Sequence, residues 1–142
     1  MSSSKLYDLA YIRAWPAFIA HLATLGVGDI NEQILFVDRY DGRCVSMMAA
    51  CRNAPAPVWK ALIEAALRAG LDLHAILTRV SDSKSTVLHC AAYGSDEEVC
   101  GCLSFMCPSA LDMKDCDNMT PFECAKARNR PSSLLAALTQ VS

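Results

Sequence analysis

The strongest constraint on this chain is that part of it repeats. The stretch DSKSTVLHCAAYGSDEEVCGCL, beginning at Asp82, is answered by DNMTPFECAKARNRPSSLLAAL, beginning at Asp117. In both, Thr is followed by Val or Pro, a large apolar residue, a side chain able to hydrogen-bond, and Cys-Ala. Thr86 and Thr120 lie 34 positions apart, and a period of about 20–50 residues marks an architecture of stacked units. A weaker copy, DGRCVSMMAACRN, begins at Asp41, with Cys44 at the threonine position and Ala49-Ala50 matching Ala91-Ala92. From Cys44 to Thr86 the spacing is 42, about nine residues more than a ~33-residue unit needs. The excess is expected partly in Ala54-Pro55-Ala56-Pro57, between the helices of that unit, and partly in the connection from Ala75 to Ser81. Upstream, LGVGDIN from Leu25 to Asn31 reads as the end of a fourth, degenerate unit, preceded by the apolar run from Ala17 to Leu25.

Composition sets the outer bounds. A chain of 142 residues with 53% hydrophobic and 20% charged residues lies far from the disordered regime and has room for one core. With 13 basic and 15 acidic residues the formal charge is −2, which supplies none of the general attraction to phosphate that nucleic-acid binders use. No apolar run reaches the roughly 20 residues needed to span a bilayer. The opening MSSSKLYDLAYIRAW lacks the basic-then-apolar order of an export signal. A cytoplasmic or nuclear protein with reduced thiols is expected, which binds neither nucleic acid nor membrane.

Local punctuation predicts helices. Thr in front of an apolar stretch caps a helix, and Pro at the first helical position loses no hydrogen bond, so Thr120-Pro121-Phe122 is a helix start. His89, three residues after Thr86, is placed to bond the same cap. Helices over Val87–Tyr93 and Glu97–Met106 would be too short to stand alone in water and need packed neighbours.

These residues resemble ankyrin repeats, whose pattern is T-P-L-H-x-A-A, a second helix with E-V and L-L, and G-A-D-V-N before the next turn. Thr86-Val87-Leu88-His89-Cys90-Ala91-Ala92 matches except for Val87, and Thr120-Pro121-Phe122-Glu123-Cys124-Ala125 carries Phe for Leu and Glu for His. Cys44 to Ala50 keeps chiefly the alanines, while Glu98-Val99 and Asp29-Ile30-Asn31 fit the later part of the pattern. The resemblance implies an all-α solenoid over residues 1–142, of about four helix-turn-helix units at 5–38, 39–80, 81–114 and 115–142. It also implies a non-catalytic module, adaptor or inhibitor, that binds another protein through its concave face and finger turns. No cofactor or metal is implied.

Aligned to that register, Arg13, Arg52 and Arg128 share one place near the end of the first helix, with Tyr93 one residue earlier in its unit. The finger turns contribute Tyr40, Asp41 and Arg43, then Ser83 and Ser85, then Asp117 and Met119. Such a strip would favour an acidic or aromatic-rich partner surface, because Arg and Tyr combine contact area with directional hydrogen bonding. The alternative is a redox or zinc protein using Cys100, Cys102 and Cys107. Against it, Cys100 and Cys102 fall on apolar positions of a second helix, where Cys behaves as a small hydrophobe. Trp15, Phe18, Ile19 and Leu22 form an apolar stripe, read as core in a monomeric protein rather than as a self-association surface. No nucleophile elbow, P-loop or zinc-protease motif is present.

Overall fold

The computed structural model describes residues 4–39 and 42–139. The described residues are all-helical apart from turns and one isolated antiparallel bridge, Val37 to Cys44. The helices are α1 (Lys5–Tyr11), α2 (Trp15–Thr24), α3 (Val27–Ile34), α4 (Val45–Cys51) and α5 (Ala56–Arg68), then α6 (Leu73–Leu77), α7 (Val87–Gly94), α8 (Glu97–Met106), α9 (Pro121–Ala127) and α10 (Ser132–Ala137). A 3-10 turn, Pro108–Asp112, follows α8. None of these helices is long and apolar enough to cross a membrane.

Four short helices form an inner row: α1 packs on α4, α4 on α7, and α7 on α9. Small side chains permit the close approach. Ala49, Ala50, Ala91, Ala92 and Ala125 are all buried, and a Cβ added to Gly94 would come within 2.1 Å of the Cys51 carbonyl oxygen. Ser95 fixes the same junction by donating its hydroxyl to the Ala50 carbonyl at 2.7 Å. The helices behind this row pack in two pairs, α2 with α5 and α8 with α10. Leu22, Val58, Leu62, Val99, Leu103 and Leu134 fill the space between the layers. Phe18 and Leu22 are buried, with Trp15 and Ile19 packed on the core, so the apolar stripe of the first unit faces inward.

The caps explain where the helices begin. Thr86 accepts the His89 amide while His89 Nδ1 accepts the Thr86 amide at 3.1 Å, and Thr120 and Glu123 repeat this reciprocal box. Asp96 caps α8 by accepting the Val99 amide at 2.9 Å. Turns of one design precede α4, α7 and α9. Asp38, Ser81 and Asp115 donate their amides to the carbonyls of Arg43, Ser85 and Met119, and Gly42, Lys84 and Asn118 sit in the left-handed region at φ 70°, 62° and 62°.

The stretch from Leu25 to Asn31 runs into helix α3 from Val27 onward, because Ile30 and Ile34, four apart, both reach the core and Asp29 favours the first turn. Two expectations need correction. The surplus of the second unit lies only in small part between α4 and α5, where the link 52–55 is two residues longer than 95–96 between α7 and α8. Most of it is in the 13-residue α5 and in the link 69–72 that follows, rather than from Ala75 to Ser81, since α6 has five residues, as has the Pro108–Asp112 turn of the third unit. Finally, Arg13 is not the counterpart of Arg52 and Arg128. Ala14, Ala54 and Arg130 donate equivalent amide bonds to Leu9, Ala49 and Ala125, and the residues before them, Arg13, Asn53 and Asn129, share a positive φ of 55–60°. Ile12 is therefore the equivalent of Arg52 and Arg128, and Tyr11 of Tyr93.

Candidate binding groove

The ends of the inner helices and the turns that precede them border an open groove of about 480 Å³. Six of the residues singled out from the sequence line it: Arg13, Arg43, Arg52, Ser85, Tyr93 and Arg128. Ser83, Asp117 and Met119 stand in the turns beside it. There the Ser83 carbonyl accepts the Cys116 amide at 2.9 Å and joins neighbouring turns. The Asp117 and Met119 amides both donate to Asp115 Oδ1, at 2.9 and 3.1 Å, so the Met119 backbone serves the turn. Tyr40 and Asp41 lie outside the described residues.

Two arginines lie over aromatic rings. The Arg52 guanidinium sits 4.5 Å from the centre of the Tyr11 ring and that of Arg128 sits 3.9 Å from the centre of Tyr93. Both tyrosines are about half exposed, Tyr11 at 54% and Tyr93 at 51%. A stacked guanidinium keeps its N–H edges directed outward, and its planar fork matches a carboxylate or another oxyanion. Arg130 has a different role: it donates to the carbonyls of Tyr93 and Ser95 and closes the end of α7.

The groove floor holds residues that sequence reasoning did not assign to it: Cys51, Cys90, Cys124, His89 and Asp115. The Cys90 thiol hydrogen-bonds Cys51, and this bond together with burial keeps its pKa well above the ordinary value. Burial, aided by a hydrogen bond to Asp115, pushes Cys124 up to about 12. These thiols are protonated and poor nucleophiles at neutral pH. Desolvation lowers the His89 imidazole, offset in part by its bond to Met119 and by the Asp115 charge.

His89, Asp115 and Cys124 bring a nitrogen, a carboxylate oxygen and a sulfur within 4.8 Å of one another, a donor set that zinc accepts in other proteins. Here the set does not fit a metal. His89 Nδ1 accepts the Thr86 amide, so the proton is on Nε2, which donates to the Met119 carbonyl at 2.8 Å. That tautomer offers no lone pair at Nε2, and the Cys124 proton is the donor to Asp115. The three residues tie the third unit to the fourth.

Cys100, Cys102 and Cys107 are not brought to a common point; among the described residues no other group of three metal-binding side chains forms. Cys100 and Cys107 are buried, with pKa values raised by burial to about 12 and about 11. They donate to the carbonyls of Ala91 and Leu103. Cys102, expected on an apolar inward position, is exposed, because two steps along a helix from Cys100 turn a side chain to the opposite face. It borders a second, apolar cleft of about 610 Å³ between α5 and α8, lined by Trp59, Ile63, Leu103, Met106 and Phe105, the last 87% exposed.

No protein-family model matches the sequence, and no curated protein is similar to it.

Proposed function

We propose that this chain is a small ankyrin-repeat-type stack of four units that works without catalysis, as an adaptor or inhibitor docking another protein along the groove. The observation that carries the reading is the convergence of residues from distant parts of the sequence. Arg13 from the first unit, Arg43 and Arg52 from the second, Ser85 and Tyr93 from the third, and Arg128 from the fourth border one depression. A row of units packed side by side produces such a face without any motif of contiguous residues. The groove chemistry also favours binding over reaction. Burial and hydrogen bonds raise the pKa of two of its thiols, Cys90 and Cys124, and its imidazole is committed at both nitrogens to backbone groups.

Affinity capture from the source cell with the intact chain and with the double variant Arg52→Glu, Arg128→Glu tests the reading. A partner held by the parent and lost by the variant, which stays folded with only the loss of about 1–2 kcal/mol that the two Arg–Tyr contacts account for, is the expected result. Equal capture by both would remove the groove as the docking face.

A further inference from the structure

The geometry points to a specific occupant of the groove: an extended acidic segment of the partner protein, with carboxylates about six residues apart, on the same side of the strand, meeting Arg52 and Arg128. This rests on the docking reading and deepens it by naming the chemistry and spacing of the bound segment.

Charge is the first argument. The chain as a whole has a net charge of −2, yet the described residues lining the groove include Arg13, Arg52 and Arg128 against a single carboxylate, with Arg43, which has a partner of its own, left out of the balance. That carboxylate, Asp115, is occupied by the Asp117 and Met119 amides and the Cys124 thiol. His89 adds no charge, since its neutral tautomer is fixed by Thr86 and Met119. Neither Arg52 nor Arg128 forms a salt bridge with a described residue; the partner each does have is a tyrosine ring, which leaves the guanidinium N–H edges available. Arginines oriented but not neutralised are ready for charge-assisted, bidentate bonds to a ligand's oxyanions.

Spacing is the second. Arg52 ends α4 and Arg128 ends α9, with α7 packed between them. Two helix-to-helix steps of about 8–10 Å each separate them by about 16–20 Å. An extended chain advances roughly 3.3 Å per residue and its side chains alternate between faces, so the even separation that fits the gap with both carboxylates on the groove side is about six residues. A single phosphate or nucleotide phosphate group cannot reach both forks, whereas separate carboxylates on one strand can.

Fluorescein-labelled peptides of about twelve residues in a Gly/Ser background, a length that spans the groove, test this by anisotropy. The set carries two glutamates six positions apart, two adjacent glutamates, two glutamines six positions apart, or one phosphoserine. The spaced-glutamate peptide should bind about ten-fold more tightly than the adjacent and glutamine peptides. It should lose about ten-fold on Arg52→Gln or Arg128→Gln and weaken in about 0.5 M salt. Equal binding of the spaced and adjacent peptides, or tighter binding of the phosphoserine peptide, overturns the proposal. Should the captured partner still depend on Arg52 and Arg128 while no glutamate peptide binds, docking stands and the acidic, spaced occupant is wrong. If neither the partner nor the peptides respond to the arginine variants, the docking reading falls as well.

Discussion

The guanidinium of Arg128 lies 3.9 Å from the centre of the Tyr93 ring, so a side chain of the last unit rests on one from the unit before it. The same relation joins Arg52 to Tyr11 at the other end of the row. Each pair couples two units while it presents a cation to the groove. Tyr93→Phe should therefore keep both stability and peptide affinity. Tyr93→Leu should cost about 0.5–1 kcal/mol of stability and weaken binding of any ligand that engages Arg128. Urea denaturation and anisotropy, run side by side, check both halves.

His89 bonds its own helix cap and the next unit at once, through Thr86 on one nitrogen and Met119 on the other. His89→Ala leaves a buried amide and a carbonyl without partners and should destabilise the fold by about 2–3 kcal/mol. The shift of the urea midpoint measures it.

The same residue gives stability a pH dependence. Desolvation holds the folded imidazole below its ordinary value of 6.5, so the unfolded chain takes up the proton first. The contribution of a neutral His89 is complete above about pH 6.5 and is lost as pH falls from there toward the folded value. Denaturation midpoints between about pH 7.5 and 5 should fall with acidity, and His89→Gln should flatten that part of the profile.

Lys84 occupies the left-handed slot that Gly42 and Asn118 fill in the neighbouring turns. A lysine there carries a steric cost that glycine does not, so Lys84→Gly should stabilise by about 0.5–1 kcal/mol. Its exposed side chain does not border the groove, and peptide affinity should stay the same. Gly94→Ala is the opposite case. Its methyl meets the Cys51 backbone, and overpacking of the α4 and α7 junction should cost at least about 1–3 kcal/mol in the thermal transition.

Thiol titration separates the groove reading from a cysteine-based one. Cys102 and Cys116 are exposed and should react fast with a disulfide reagent. Cys90, Cys100 and Cys107, buried and with raised pKa values, should react only as the chain unfolds. Fast reaction of Cys100 together with Cys107 would restore the thiol reading.

What the sequence disclosed and what it concealed have physical reasons. The helices after Thr86 and Thr120 were legible because a cap, a proline and an apolar run act within a few residues of one another. His89 was legible for the same reason. The helix at Val27–Ile34 was hidden because Gly26 and Gly28 weaken the helical signal at its start and the burial of Ile30 and Ile34 depends on tertiary neighbours. The register of the first unit was hidden by Arg13, which takes a backbone conformation more usual for the Asn53 and Asn129 that correspond to it. That one-residue slip concealed Tyr11 as the counterpart of Tyr93. The place of Cys51, Cys90 and Cys124 on the groove floor emerges only when helices from different units lie side by side.

Amide hydrogen exchange of the chain with its captured partner tests the central claim most directly, because the two concavities lie on different segments. Protection is expected around residues 11–14, 51–54, 93–95 and 128–130, which border the arginine groove. Protection confined to residues 59–63 and 101–106, along the apolar cleft between α5 and α8, would contradict it.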